Sequence, residues 1–273
     1  QFEAIAPYRE YCRSRERTPQ EVRQWRDIPI VPIQAFKRVD LCCGPAMRTF
    51  LSTGTSEGPQ SRSRHLMPDL RLYERSAVAG MRAYLFPDIA AMRLVSLVAR
   101  RDLEPHSSLA QMAGWAFERF AGPGSVFAMT EKGLEVETLI DALHASENDG
   151  EPCCIMTTTG ALVRVLDHAR ERGLTFRLPH GSRLMDTGGD KGAPRRLSRG
   201  GLLHACWSTF GIPGYFCVNE YGMAELSSQF YDSVIADRVR GRHQPRRKLA
   251  PHWVRTLVLD PATTRAYLLL ANI

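Results

Sequence analysis

Cys153-Cys154-Ile155-Met156-Thr157-Thr158-Thr159-Gly160 is the stretch that decides the fold. An apolar run of strand length ends there in hydroxyls and a glycine, the pattern of a strand covered on both faces. From Ala161 to Arg172 the period changes, with Leu162, Val165, Leu166 and Ala169 at helical spacing and Gly173 closing the helix. The hydroxyl-rich strand end either lines a carboxylate pocket or caps that helix at Thr159. Downstream, Ser182 to Met185 reads as a strand, Asp186-Thr187-Gly188-Gly189-Asp190-Lys191-Gly192 as a turn, Leu197 to Phe210 as a helix and Phe216 to Asn219 as a strand.

The same alternation runs upstream. Met47 to Leu51 reads as a strand, and Pro68 to Leu85 as a helix with Leu72, Ser76, Ala79 and Ala83 along one stripe. Arg93 to Ala99 and Ser125 to Met129 read as strands, Ser107 to Phe120 as a Ser-capped helix and Leu134 to Ser146 as another helix. The expected class is therefore α/β, with layered sheets, flanking helices and ligand loops at the carboxyl ends of mainly parallel strands. The first thirty residues read as one or two polar helices, and Pro29 and Pro32 force Ile28 to Ile33 to be extended. We expect two parts: residues 1–46, a helical and extended segment packing on the main domain, and residues 47–273, a nucleotide-binding α/β domain.

A length of 273 residues is enough for a substantial core, and 44% hydrophobic with 24% charged residues is an ordinary globular composition. The net charge of +7 is carried almost wholly by scattered arginine, since Lys37, Lys132, Lys191 and Lys248 are the lysines. Scattered charge is no nucleic-acid stripe, and no nucleic-acid partner is expected. The densest run, Arg238 to Lys248, reads as a solvated loop. Seven cysteines with two vicinal pairs and no Cys-x-x-Cys spacing indicate neither a disulfide framework nor a zinc site, so a reducing cytoplasm is the expected setting. No apolar run approaches the length needed to span a bilayer and no charged-then-apolar stretch precedes the first helix, so no transmembrane segment is expected. The start at Gln1 and the stop after an apolar segment lead us to expect a partial sequence, truncated at its C-terminal end.

Two motifs carry the chemistry. In Leu51-Ser52-Thr53-Gly54-Thr55-Ser56-Glu57-Gly58, four hydroxyls and two glycines give the short donors and close backbone approach that phosphate oxygens need. The Gly-Lys-Ser/Thr ending of a Walker A loop is absent, which disfavours kinase or GTPase chemistry. In Val218-Asn219-Glu220-Tyr221-Gly222-Met223-Ala224-Glu225-Leu226, an aromatic ring, a glycine and a carboxylate follow a strand. Tyr221 either packs on a purine or belongs to the core, and Glu225 either holds Mg²⁺ or is a helix N-terminal charge. His65, just beyond the first loop, is a candidate to contact phosphate or carboxylate. The vicinal pairs Cys42-Cys43 and Cys153-Cys154 are either acyl acceptors or small buried residues.

The order of the 52–58 loop, the Gly188-Gly189 turn and the Tyr-Gly-x-x-Glu segment resembles the adenylate-forming superfamily of acyl and aryl ligases. Within it the chain is most similar to the acyl-protein synthetase (long-chain-fatty-acid luciferin-component ligase) family. The similar stretches run from Ile28 to Leu226 and include Ile30 to Lys37, Ser63 to Leu66, Tyr73 to Ser76 and Thr187 to Gly192. The resemblance implies the large N-terminal domain of that ligase fold, with the small C-terminal domain apparently absent. It further implies ATP and Mg²⁺ as cofactors. Ser52, Thr53, Gly54, Thr55, Ser56 and Gly58 would wrap the phosphates, Gly188 and Gly189 would pack on adenine, Tyr221 and Gly222 would flank it, and Glu225 would ligate Mg²⁺.

His65, Arg62 and Lys191 would be the catalytic candidates, and Arg64 a further cation. The implied reaction activates a long-chain fatty or other hydrophobic carboxylic acid as its acyl-adenylate and transfers the acyl group to a thiol of an acceptor protein, a reductase-like subunit. Alternatives are a coenzyme A-dependent ligase of the phenylacetate type, or a non-catalytic nucleotide- or partner-binding fragment. The chain departs from the superfamily pattern at Gly58-Pro59-Gln60-Ser61-Arg62, where a lysine is usual. It also departs after Leu226, where no ribose-binding aspartate, hinge, catalytic lysine or acceptor cysteine is recognisable.

Overall fold

The computed structural model describes residues 1–52, 62–188 and 195–260. In chain order the elements are α1 (Ala6–Ser14), α2 (Ala35–Arg38), β1 (Arg48–Leu51), β2 (Arg64–Met67), α3 (Arg71–Tyr84), β3 (Arg93–Ser96), α4 (Ser108–Phe120), β4 (Val126–Phe127), β5 (Met129–Thr130), β6 (Gly133–Leu134), α5 (Val136–Asp149), β7 (Cys153–Thr158), α6 (Thr159–Arg172), β8 (Arg183–Thr187), α7 (Arg199–Phe210), β9 (Cys217–Tyr221), β10 (Phe230–Asp232), α8 (Val234–Val239) and β11 (Lys248–Leu249). Seven strands form one sheet in the order β4-β3-β7-β8-β9-β10-β11. The first five are parallel, and β10 and β11 are added antiparallel. The expected α/β class, with its mainly parallel sheet and flanking helices, is what the chain adopts.

Central position explains the apolar strands. Cys153 to Thr157 of β7 and all of β8 are buried, because helices cover both faces. The chain moves outward from β3 to β4, then returns past β3 to β7 and continues to β8 and β9. Right-handed crossovers therefore place α4 on one face and α5, α6 and α7 on the other. The packing agrees: α3 meets α4, α8 and β10, while α6 meets α7, β7 and β8. Phe86 stacks on Phe120 at 4.6 Å, and Phe50, Tyr73 and Trp115 pack edge to face in series, each buried ring adding about 1.5–3 kcal/mol.

Two local readings need correction. In α3 the buried stripe is Tyr73, Ser76, Ala77, Gly80 and Met81, whereas Leu72 and Ala79 are exposed. The helix is rotated by one position because Tyr73 packs edge to face against Trp115 and Gly80 lets the Tyr231 ring approach to where a Cβ would be 2.8 Å away. The cap of α6 is Thr158, whose hydroxyl accepts from Ala161 N, and not Thr159. The polar N-terminal region, read as one or two helices, holds α1 and a short 3₁₀ turn at Trp25–Asp27, in line with that reading.

β1 and β2 form a separate antiparallel hairpin, with Leu51 opposite Arg64. Leu51 N donates to His106 O at 2.9 Å, and His106 Nδ1 donates to Thr49 O at 2.9 Å. This fixes the hairpin to the segment between β3 and α4, at the carboxyl rim of the sheet. No helix among the described residues is long and apolar enough to cross a membrane.

Candidate functional site

The parallel register brings three strand ends together. Thr157 and Thr158 of β7 lie beside Asp186 and Thr187 of β8, which lie beside Asn219 and Glu220 of β9. Each strand turns polar at this end, so the rim gathers carboxylates, hydroxyls and two glycine turns, the place where open α/β sheets bind ligands.

Three of those carboxylates are buried. Asp186, 1% exposed, accepts from Arg199 Nη1 at 2.7 Å, Asn219 Nδ2 at 2.9 Å and Thr159 Oγ1 at 3.0 Å. Asp232 accepts from Asn219 N at 2.9 Å, from Arg246, and from Lys248 Nζ at 3.0 Å. Burial opposes ionisation of Asp232, but the Asn219 N–H, Lys248 and Arg246 together outweigh it and hold the carboxyl below its usual range. Glu220, 3% exposed, accepts from the Thr187 hydroxyl. Burial pushes its carboxyl up to about 7; Thr187 and Lys248 favour the charged form, and Asp186 adds to the rise.

The glycines of the two turns above these groups play different parts. Gly188 has φ of +78°, a conformation that L side chains rarely adopt, and an added Cβ would meet no described atom within 4 Å. Gly222 has no such φ; a Cβ there would lie 2.5 Å from Glu220 Oε1. Beside it Tyr221 is half-exposed, its ring edge-on to Phe230 at 5.9 Å.

The hairpin supplies the other wall. His65 Nδ1 donates to Ala224 O at 2.7 Å, with the Phe36 ring edge-on at 5.6 Å. Burial lowers its pKa more than the Ala224 carbonyl and the Glu225 charge raise it, so the ring favours the neutral form with Nε2 as acceptor. Ser52 and Arg62 stand at the two ends of the 53–61 stretch. Arg62 Nε donates to Ser52 O at 2.6 Å, and Ser63 N donates to Ser52 Oγ at 2.9 Å. The Ser52 hydroxyl thus already serves the base of the loop.

The structure brings His65 of the hairpin against Ala224 and Glu225, ties Ser52 to Arg62 and Ser63, and sets Tyr221 and Gly222 beyond the Thr187–Glu220 pair, as Gly188 is on β8. Thr53, Gly54, Thr55, Ser56, Gly58, Gly189 and Lys191 lie outside the described residues. Arg64 pairs with Asp40 at 2.8 Å.

Glu225 is half-buried and makes no hydrogen bond among the described residues. No group of three or more His, Cys, Asp or Glu there converges on a metal position. A single free carboxylate fits Mg²⁺ in the way that ion commonly binds, with one or two protein oxygens and the rest from phosphate and water. As for thiols, Cys153 and Cys154 are fully buried and burial raises both, the first to about 11, which makes them poor acyl acceptors.

The solvated-loop reading of 238–248 is only half right. Arg238, Arg240 and Arg242 are exposed, but Arg246 bonds Cys217 O, Gly214 O and Asp232, Arg247 pairs with Asp237 at 3.1 Å, and Lys248 reaches Asn219 Oδ1 at 2.7 Å. Buried aspartates demand these cations. Sequence reasoning passed over Arg199, Asp232, Arg246 and Lys248. The available signal was Asp186 and Asp232 ending otherwise apolar strands, where a charge needs a partner.

Comparison with solved structures brings 26 similar chains. One is 2-hydroxyisobutyryl-CoA ligase in the postadenylation state in complex with R3-HIB-AMP, at 15% identity and a TM-score of 0.56, covering 85% of this chain and 48% of the ligase. Another is an open conformation of that ligase in complex with 2-HIB-AMP and CoA, at 16% identity and 0.53, covering 89% and 59%. The fold is shared with a CoA ligase. The chain spans about half the length of these structures, and at such identities the likeness is one of fold. No family model matches the sequence, and no curated protein does.

Proposed function

We propose that the chain is the large-domain part of an adenylate-forming ligase that activates a carboxylic acid with ATP. In this reading residues 1–46 form a lead segment docked on the nucleotide-binding domain 47–273. A carboxylate oxygen attacks the α-phosphorus, the α–β anhydride breaks, and pyrophosphate leaves with the electron pair. The protein's task is to align two anions and offset their repulsion. The hairpin loop from Ser52 through Thr53, Gly54, Thr55, Ser56 and Gly58 holds phosphates, the Gly188-Gly189 turn and the Tyr221-Gly222 segment hold adenine, and Glu225 holds Mg²⁺. Bound Mg²⁺ supplies charge neutralisation on the phosphates. Arg62 and Lys191 add positive charge, and neutral His65 offers Nε2 to the reacting groups. The observation that carries this reading is the His65 to Ala224 hydrogen bond, which joins the phosphate-loop hairpin to the Tyr-Gly-x-x-Glu segment beside the Gly188 turn.

For the acceptor, we favour a protein thiol and a long-chain acid, on the motif order of the acyl-protein synthetase family. Coenzyme A is the second reading, since a structure of similar fold binds CoA. Carboxylate-dependent exchange of labelled pyrophosphate into ATP tests the reaction, and product analysis with an acceptor protein or coenzyme A separates the two. ATP binding with no exchange for any acid, even with the remainder of a longer chain restored, would leave a non-catalytic nucleotide-binding module.

A further inference from the structure

The three buried carboxylates of the rim are not equivalent. Asp186 is paired with Arg199, and Asp232 with Arg246 and Lys248. Glu220 has no cationic side chain within ion-pair distance among the described residues. An unpaired buried carboxyl is costly, and an apolar residue of similar size would be cheaper. What Glu220 does instead is join two turns. One oxygen accepts from Thr187, the residue before Gly188, while the other lies under Gly222 where a Cβ would sit 2.5 Å away. A side chain at 222 would push this carboxylate out of its present place.

We infer that Glu220 is a positioning residue: it fastens the Thr187-Gly188 turn to the Tyr221-Gly222 turn and sets the spacing of the two backbone segments assigned to the nucleotide. The inference rests on the proposed ATP site for its functional consequence, but the latch itself is a property of the fold. Side chains acting as one latch should be non-additive when removed.

The experiment measures Mg-ATP affinity by calorimetry for the wild-type chain, Glu220→Ala, Glu220→Gln, Thr187→Val and the Glu220→Ala/Thr187→Val double variant. Thermal melts check folding. Each of Glu220→Ala and Thr187→Val is expected to weaken ATP about 10-fold, a typical effect of one lost buried hydrogen bond. The double variant should be no weaker than either single, and Glu220→Gln, which keeps an acceptor for Thr187, should recover most of the affinity. Wild-type affinity in a folded Glu220→Ala, or additive losses in the double variant, overturns the inference. Amide hydrogen exchange over residues 186–188 and 220–222 reads the latch without nucleotide. Faster exchange in both turns in Thr187→Val, and not in Glu220→Gln, supports it, and unchanged exchange defeats it. Failure of the wild-type chain to bind ATP defeats the nucleotide site and leaves the latch to be decided by exchange.

Discussion

At the carboxyl rim of the central sheet three carboxylates are withdrawn from water, whereas before β1 four large apolar side chains stand in it. Trp25, Ile28, Ile30 and Ile33 are 42–52% exposed, the first in the 3₁₀ turn and the next two on a segment that Pro29 and Pro32 keep extended. That segment is held to α1 by single hydroxyls, Tyr8 to Pro29 O at 3.4 Å and Tyr11 to Ile30 O at 2.9 Å. At the rim Asp186 and Asp232 are each held by at least three side-chain or backbone donors from other elements, and Glu220 by Thr187. The contrast teaches where this chain spends its precision: the rim is over-determined and intolerant of change, and the leading segment is loosely determined and tolerant.

The harshest way to test that contrast is Arg199→Ala. It removes the guanidinium from Asp186 and leaves a buried charge with neutral donors, so stability should fall by about 3–5 kcal/mol in urea unfolding. A loss under about 1 kcal/mol would mean that the rim is not over-determined.

Next comes pH. The folded carboxyl of Glu220 lies near 7, above its ordinary 4.5. Between those values the folded state keeps a proton that the unfolded state has released. Its contribution to stability is therefore greatest below 4.5 and is lost as pH rises to about 7, by roughly 3 kcal/mol. Glu220→Gln should abolish that decline. Subtracting variant from wild type across pH 4.5–8 isolates it, and a flat difference would contradict the burial.

A functional change of somewhat smaller energy is expected from Glu225→Ala. Because Glu225 is half-buried and carries no hydrogen bond among the described residues, melting should barely move. Mg-ATP-dependent pyrophosphate exchange should drop on the order of 100-fold. A folded variant with wild-type exchange would remove Glu225 from the site. At the tolerant end, Trp25→Ala and Ile30→Ser should each stay within about 0.5 kcal/mol of wild type. A larger loss in urea unfolding would show that the exposed row is structural after all.

Much of the fold was legible because long elements leave periodic traces. β7 and α6 announce themselves by an apolar run, a change of period and Gly173. Short or boundary features were not: β10 is three residues long, and the stripe of α3 was misread because Leu72 looks more apolar than Tyr73, which packs edge to face on Trp115. Of the candidate site, the glycine and hydroxyl turns were proposed because their chemistry is local, and most of the hydroxyl turn lies outside the described residues. The cradle beneath them could not. Arg199 is 13 residues from Asp186, Arg246 is 14 from Asp232, and ion pairs at such separations impose no pattern on the sequence between them.

Both margins of the large sheet end in two-residue strands, β4 and β11, and the latter carries Lys248. Among the described residues a neighbouring molecule finds almost no open ladder there to extend. Concentrated solutions should accordingly stay clear, without the slow rise in thioflavin fluorescence that marks edge-to-edge growth into fibrils.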